Sequence, residues 1–431
     1  MRFAVALALL LLLPFAPPAA SAGPGTLVAP PRAHTFGLRR VTGREIALFL
    51  PGQRLQDPAG LDVVRLAATD DPGSRDDDEV TIVGVDRGGR VFTNFGLLHA
   101  TALSDAGTAL GSFREPTDAA IDRDGRVVVT DTGNHRLVLL RHDGERLVPV
   151  RAVDGFESPV SVAADGAAGF LVCDRAAGRV WRLDFETGAR TSFGLEVSFD
   201  EPVAIASTLQ GERLGAGAPA HVVIADRGGR RLRSFRPDGT LRASREAASL
   251  DVSDASFDAV DLDYYGNVLA VDRAGDRVHK LRDDLYPLDT FGERGKREGE
   301  FLSPRGIAIH RRLGQVFVTE EDGGQYLWVG TDVRDVTLRP ADRVVALAYT
   351  LTEASDVTLR ILNEDQDEVA LLLKDQRQGA GPQRGSWDGT DSVGRSVAPG
   401  EYVLEVRARA TYASRTSFEK RLLRSFRWAR P

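Results

Sequence analysis

Hydrophobic and polar residues alternate along most of this chain in short runs that end at turn residues. In the segment PTDAAIDRDGRVVVTDTGNHRL at 116–137, a small apolar stretch, a polar turn and a β-branched run follow one another. Alternation of this kind, with turn residues about every 8–12 positions, is typical of β-strands and not of amphipathic helices. The sequence therefore predicts an all-β protein.

The same pattern recurs in six units, each with an acidic residue at the end of its β-branched run. These anchor acids stand at 86, 131, 174, 226, 272 and 320, and an arginine follows most of them by five residues. One such unit cannot bury both faces of its sheet, whereas six arranged around an axis can. The spacing predicts a six-bladed β-propeller over residues 33–331. The repeated residues are Asp86, Asp131, Arg136, Asp174, Arg179, Asp226, Arg231, Asp272 and Arg277.

The segment PTDAAIDRDGRVVVTDTGNHRLVLLRHDG at 116–144 resembles the NHL repeat, and the other units resemble it more loosely. The resemblance implies a propeller and no single activity. We interpret the repeated Asp and Arg as structural, because one residue type on every blade belongs to the scaffold. A short carboxylate before a tight turn accepts backbone N–H bonds, and the arginine is expected to reach across the turn or to the next blade.

The ring needs a closing element, and residues 33–50 are strand-like without carrying an Asp/Arg pair of their own. We expect this segment to add an outer strand to the last blade, which would remove an open sheet edge. The Pro/Gly-rich residues 23–32 before it are predicted to be a linker.

A different alternating pattern begins at residue 332 and contains WDGTDSVGRSVAPGEY at 387–402. This segment resembles the FlgD-type immunoglobulin-like (Ig-like) domain, which implies a β-sandwich over residues 332–431. The family occurs in the flagellar hook scaffold and at the C-termini of exported proteins, so the resemblance implies a module for contact or attachment. Trp387 and Tyr402 are expected to pack between the two sheets. The motif residues are Trp387, Asp388, Gly389, Asp391, Gly394, Gly400 and Tyr402.

The N-terminus has the features of a signal peptide over residues 1–22. Arg2 precedes the apolar run 3–13, and Ala20, Ser21 and Ala22 form a small-residue cleavage site. The run is shorter than the ~20 residues that a membrane-spanning helix needs. We expect a secreted, periplasmic or cell-surface protein with no transmembrane segment after cleavage. The single cysteine, Cys173, excludes an intramolecular disulfide and a Cys-cluster zinc site.

Catalytic motifs are absent from the sequence, since the seven histidines form no metal-binding pair and no serine lies in a G-x-S-x-G elbow. Some propeller enzymes are calcium-dependent lactonases or lyases with carboxylates in the central channel. The aligned channel positions are Thr117, Val160, Val203, Ala259 and Arg305, then Asp118, Ser161, Ala204, Val260 and Gly306. Asp118 is the lone acid of this set, and Asp261 and Asp263 join it if the register shifts by one. These three are weak candidates for a calcium site; no cofactor is otherwise predicted.

The charge distribution bears on partners. A net charge of -7 argues against nucleic acid, as does the lack of aromatic residues interleaved with basic ones. An arginine-rich stretch at 226–245 nevertheless suggests a patch for an acidic envelope polymer or an acidic protein surface. The alternative is an exposed blade edge that arginines keep from pairing. The candidate patch residues are Arg227, Arg230, Arg233, Arg236 and Arg242.

Two functions follow from these observations. The first is an exported, non-catalytic binding or scaffold protein, in which the propeller meets an envelope or extracellular partner and the Ig-like domain provides attachment. The alternative is a calcium-dependent lactonase- or lyase-like enzyme with its site in the channel.

Overall fold

The computed structural model describes residues 19–21, 25–31, 39–43, 45, 55–70, 80–94, 100–103, 110, 112–166, 169–208, 218–250, 254–341 and 343–429. Apart from 19–21, the predicted signal peptide lies outside these ranges. Three short strands open the described chain: β1 (Ala19–Ser21), β2 (Leu27–Val28) and β3 (Arg40–Val41).

The described strands from residue 58 to 329 form six antiparallel sheets, which we number as blades 1 to 6 in chain order. Blade 1 contains β4 (Pro58–Val64), β5 (Thr81–Asp86), β6 (Arg90–Asn94) and β7 (Ala100–Leu103). Blade 2 contains β8 (Asp118–Ile121), β9 (Arg126–Asp131), β10 (Arg136–His142) and β11 (Leu147–Asp154). Blade 3 contains β12 (Pro159–Ala164), β13 (Gly169–Asp174), β14 (Arg179–Asp184) and β15 (Arg190–Ser192). Blade 4 contains β16 (Ala204–Ser207), β17 (Val222–Asp226), β18 (Arg231–Phe235) and β19 (Leu241–Glu246). Blade 5 contains β20 (Ala259–Leu262), β21 (Val268–Asp272), β22 (Arg277–Leu281) and β23 (Pro287–Phe291). Blade 6 contains β24 (Gly306–His310), β25 (Gln315–Glu320) and β26 (Gly323–Val329).

The first strand of each blade lies innermost, and these six strands form a closed ring. Each of β4, β8, β12, β16, β20 and β24 contacts the next, and β24 contacts β4. The β-branched runs of the second strands are buried between neighbouring blades, which explains their apolar character on both faces. Val83 and Val85, for example, share a core with Ala119 and Ile121 of the next blade.

The N-terminal segment pairs with the outer strand of blade 6 at two places. Leu27 and Val28 of β2 lie opposite Val329 and Trp328, and β3 pairs with the beginning of β26. The part of the predicted closing segment 33–50 that forms a described strand is therefore Arg40–Val41. The prediction of a linker over 23–32 is wrong at β2, because Leu27 and Val28 are buried and pair with an otherwise open edge.

The remaining strands form a β-sandwich. They are β27 (Val333–Ala341), β28 (Val344–Leu351), β29 (Ser355–Leu362), β30 (Glu368–Gln378), β31 (Gly381–Trp387), β32 (Gly400–Ala410) and β33 (Phe418–Trp428). One sheet has the order β27-β28-β31, and the other has the order β1-β33-β32-β29-β30, in which β1 runs parallel to β33. The all-β prediction of a propeller followed by an Ig-like sandwich is confirmed.

The motif residues of the sandwich occupy its core and its turns. The buried Trp387 ring lies 5.3 Å from the rings of both Tyr402 and Trp428. Gly389 has a φ of +76°, and a Cβ there would meet the Trp428 ring at 2.1 Å, so only glycine fits. Asp391 accepts N–H bonds from Val393 and Arg395 and so closes the next turn.

Among the described residues, short 3₁₀ turns lie at Thr132–Asn134, Ala247–Ser249 and Ala413–Thr416, and Gly43 and Glu45 are helical. Among the described helices, none has the length and apolar character needed to cross a membrane.

The sandwich packs against blades 5 and 6. Tyr412 lies 5.5 Å from the ring of Tyr264 and 5.8 Å from that of Tyr265, and the Ser414 hydroxyl donates to the Val329 carbonyl at 2.9 Å. These contacts lie at the end of the propeller where the inner strands finish.

Candidate functional site

The repeated acids and arginines form ion pairs within their own blades. Each of these aspartates is buried, and backbone N–H groups bond to several of them, such as that of Arg114 to Asp131 at 2.8 Å. The N–O distances are 3.1 Å for Asp86–Arg90, 2.7 Å for Asp131–Arg136, 2.7 Å for Asp226–Arg231 and 2.6 Å for Asp272–Arg277. Their geometry holds the turn between the second and third strands, which is a scaffold role.

Two blades depart from this pairing. Asp174 accepts the Ser158 N–H at 2.7 Å, while Arg179 lies over the Trp181 ring at 5.3 Å. In blade 6 the acid is Glu320, and Arg40 of the closing strand donates to it at 2.8 Å. The closing strand therefore supplies the arginine that the blade 6 sequence lacks.

The ring of inner strands encloses a channel of about 680 Å³. Apart from Ala204, all the positions aligned from the sequence line it. Blade 5 is shifted by one residue from that alignment: Ala259 pairs with the residue before Asp272, just as Asp118 pairs with the residue before Asp131. Asp261 consequently lies two residues deeper in the channel than the level of Asp118.

Asp118 is not the lone acid of the channel, because Asp62, Asp70, Asp258 and Asp261 also line it. Asp62 was missed, since the register of β4 shifts between Pro58 and Leu61 and hides its alignment with the other blades. Asp263 does not line the channel. It occupies the turn position after β20 and accepts the N–H groups of Tyr265 and Asn267, which excludes it from a channel metal site.

Asp62, Asp118 and Asp261 lie on inner strands, and each accepts a backbone N–H from the next blade and thereby links adjacent inner strands. The N–O distances are 2.9 Å for Ile121–Asp62, 3.0 Å for Val162–Asp118 and 2.6 Å for Ile309–Asp261. Asp118 also accepts the Ser161 hydroxyl at 2.8 Å.

The channel interior changes the protonation of these groups. Burial raises the pKa of Asp62 to about 7, and the charge of Asp261 adds to that effect. Burial likewise raises the pKa of Asp118 to about 7 and that of Asp261 above its ordinary value. Arg311 opposes the shift of Asp261, to which it donates at 3.3 Å. The same guanidinium donates to the Ser207 carbonyl at 2.7 Å. Arg311 thus links blades 4, 5 and 6 near the lower end of the channel, where the inner strands finish.

Within the described ranges, no group of three His, Cys, Asp or Glu side chains is arranged to hold a metal ion. Backbone N–H groups already occupy acceptor positions on Asp62, Asp118 and Asp261, which leaves fewer oxygen lone pairs for calcium.

The structure does not bring the five candidate patch arginines together on one exposed surface. Arg233 is wrong as a patch residue: it is 5% exposed, bonds to Asp226 and lies 4.6 Å from the Phe199 ring. Arg230 and Arg236 flank opposite ends of β18, while Arg227 pairs with Glu246 at 3.3 Å. Arg242 bonds to His221 at 3.1 Å and to Asp283 at 3.3 Å. Residues 232–235 of β18 are all buried, so Arg233 lies in the core while Arg230 and Arg236 lie beyond the two ends of the strand.

Comparisons with known proteins identify two parts of the chain. Residues 113–138 match the NHL repeat, and residues 336–411 match the FlgD Ig-like domain. No curated protein matches the sequence. Similar solved structures include a streptogramin B lyase, with 10% identity, 64% of this chain and 94% of that chain covered and a TM-score of 0.45. A gluconolactonase from Xanthomonas campestris is similar at 19% identity, with 72% of this chain and 98% of that chain covered and a TM-score of 0.44. Virginiamycin B lyase from Staphylococcus aureus is similar at 10% identity, with 62% and 87% covered and a TM-score of 0.39. The chain thus joins a β-propeller that carries an NHL repeat to a C-terminal FlgD Ig-like domain.

Proposed function

We propose that this chain is an exported, non-catalytic binding protein that takes a ligand into the propeller channel. The observation that carries the proposal is the channel itself: it has a volume of about 680 Å³, and the carboxylates of Asp62, Asp118 and Asp261 inside it each accept a backbone N–H. Cavities of this size suit small molecules. In this proposal the Ig-like domain attaches the propeller to an envelope or extracellular partner.

A channel-blocking variant tests the proposal. Val203 lines the channel directly before β16 of blade 4, so Val203→Trp fills part of the cavity without interrupting a strand. Thermal melts of the purified chain against a small-molecule library should give ligands that stabilise the wild type and not the variant. A ligand at 100 times its Kd adds about 2.7 kcal/mol of stability. If every stabilising ligand acts equally on Val203→Trp, the channel is not the binding site.

The second candidate is a lactonase- or lyase-like enzyme that uses calcium. It is favoured by the pKa values of about 7 at Asp62 and Asp118, since general acid–base groups work best near the operating pH. This candidate expects turnover of a lactone that Asp118→Asn abolishes, together with a lower melting temperature after dialysis against a calcium chelator. Binding without turnover, and a melt that the chelator leaves unchanged, would favour the binding protein.

A further inference from the structure

We propose that the upper mouth of the channel, the end where the inner strands begin, binds the oxyanionic group of a ligand through Arg87, Arg273 and Arg305. The group is a carboxylate or a phosphate. This inference rests on the proposed function, because it assumes that the channel is the binding site.

The arginines at this mouth occupy a repeated sequence position. Arg87, Arg175 and Arg273 each follow the anchor aspartate of blades 1, 3 and 5 directly, at the turn beside the start of the inner strand. Arg305 precedes β24 in blade 6, which lies between blades 5 and 1. All four line the channel, so arginines from three consecutive blades stand on one side of its mouth.

These mouth arginines make few hydrogen bonds to the rest of the propeller. They differ in this from most of the repeat arginines, which follow the anchor aspartates by five residues and form ion pairs with them. The Arg87 side chain is 45% exposed, and its guanidinium is 3.9 Å from Asp57, too far for a hydrogen bond. Asp57 also contacts Arg305, whose Nε is buried without an acceptor among the described residues. Arg273 donates from Nε to the Ser303 hydroxyl at 3.1 Å. The guanidinium groups therefore have unused donors at the mouth.

Electrostatics favour an anion at this place. Burial and the nearby charge of Arg273 lower the pKa of Arg87, while the charge of Glu115 opposes this shift, so the two cations repel each other. Eight arginines and five aspartates stand among the described residues that line the channel, although the whole chain has a net charge of -7. The raised pKa values of Asp62 and Asp118 reduce the negative charge further at neutral pH. A cleft with an excess of positive charge attracts anions even when the whole chain is negative.

The arginine side chain is suited to binding an oxyanion. A guanidinium is planar and presents paired N–H donors that match the two oxygens of a carboxylate or phosphate. Charged hydrogen bonds of this kind are stronger than neutral ones. Three such groups from adjacent blades suit a ligand with more than one anionic oxygen pair.

Titration calorimetry of the purified full chain at low salt tests the inference, with citrate as the carboxylate probe, pyrophosphate as the phosphate probe and glucose as the neutral control. We expect saturable 1:1 binding of citrate or pyrophosphate that weakens as salt is added. Arg87→Gln, Arg273→Gln and Arg305→Gln should each reduce affinity about tenfold. Arg146→Gln is the matched control, because Arg146 is 73% exposed in the turn between β10 and β11, away from the channel.

The outcomes separate this inference from the proposed function. Binding of neither anion, or equal affinity in the double variant Arg87→Gln/Arg273→Gln, overturns the inference. If a neutral ligand binds and Val203→Trp abolishes that binding, the channel still functions as a site and only the anionic specificity is wrong. Anion binding that survives both Val203→Trp and the arginine changes places the site outside the channel and contradicts both. A melt of each variant near the wild-type temperature shows that it is folded.

Discussion

Buried aspartates in this propeller have two different electrostatic environments. Asp131 lies at the end of a second strand and has Arg136 at 2.7 Å, so its charge is paired. Asp118 lies on an inner strand, where the N–H groups of Ala119 and Val162 and the Ser161 hydroxyl donate to its oxygens and where no arginine bonds to it among the described contacts. Burial therefore dominates at Asp118 and raises its pKa, while an ion pair characterises Asp131.

This environment at Asp118 predicts that folding stability falls with pH. Its pKa is about 7 in the folded chain and 3.8 ordinarily, so the folded state holds more protons between those values. The free energy of unfolding should therefore fall as pH rises through that window, by about 1–3 kcal/mol for each such carboxyl. Asp118→Asn removes one titrating group, and urea unfolding at pH 5 and pH 8 should show a smaller fall in this variant.

An exposed carboxyl provides the control for that measurement. Asp238 lies in a turn where the Thr240 N–H lowers its pKa, so Asp238→Asn should keep the wild-type fall between pH 5 and pH 8. An Asp118→Asn variant that loses as much stability as the wild type across this range would contradict the assignment.

The closing strands are short elements with a large structural role. β2 and β3 contain two residues each, and together they cover the outer edge of blade 6. β3 also brings Arg40 to Glu320, whose side chain is 3% exposed. The closure thus combines backbone pairing with replacement of a missing ion-pair partner.

Arg40 and its neighbour Arg39 make a matched pair for testing this role. Arg40→Gln removes the cation that bonds to the buried Glu320, and we expect a loss of about 2–3 kcal/mol in unfolding free energy. Arg39 lies 3.9 Å from the exposed Glu298, which is a weak surface ion pair, so Arg39→Gln should lower the unfolding free energy by less than about 1 kcal/mol. Urea unfolding of both variants gives the comparison. Equal losses would mean that Glu320 does not depend on Arg40.

The strand pattern and the two motifs were enough to predict the fold class, because alternation and turn residues are local signals. The residues whose positions could not be predicted from the sequence depend on contacts between distant segments. The run Ala259–Asp263 has two aspartates on the same strand face, and only the pairing with β21 shows that Asp261 faces the channel while Asp263 ends in a turn. Arg40 and Arg311 act on other blades, and a two-residue strand such as β3 is too short for periodicity to reveal.

The two domains meet around a buried group of three charges. Lys280 of blade 5 lies 3.3 Å from Asp263 and 2.5 Å from Glu353 of the sandwich, and all three side chains are fully buried. Burial and the charge of Asp263 raise the pKa of Glu353 to about 8, while Lys280 opposes that rise. Two carboxyls thus share one ammonium at the interface, and protonation of Glu353 helps to keep the charges balanced.

Removal of this ammonium should separate the unfolding of the two domains. Lys280→Met leaves Asp263 and Glu353 buried without a cation, and breaking a buried ion pair in this way costs about 3–5 kcal/mol. The sandwich has its own core around Trp387, Leu404 and Val406, so we expect it to stay folded while docking weakens. Differential scanning calorimetry should show the transition of one domain shifted away from that of the other in Lys280→Met. Lys296→Met, at an exposed position between β23 and β24, should melt as the wild type does. A single unshifted transition in Lys280→Met would mean that the buried charges contribute nothing to docking.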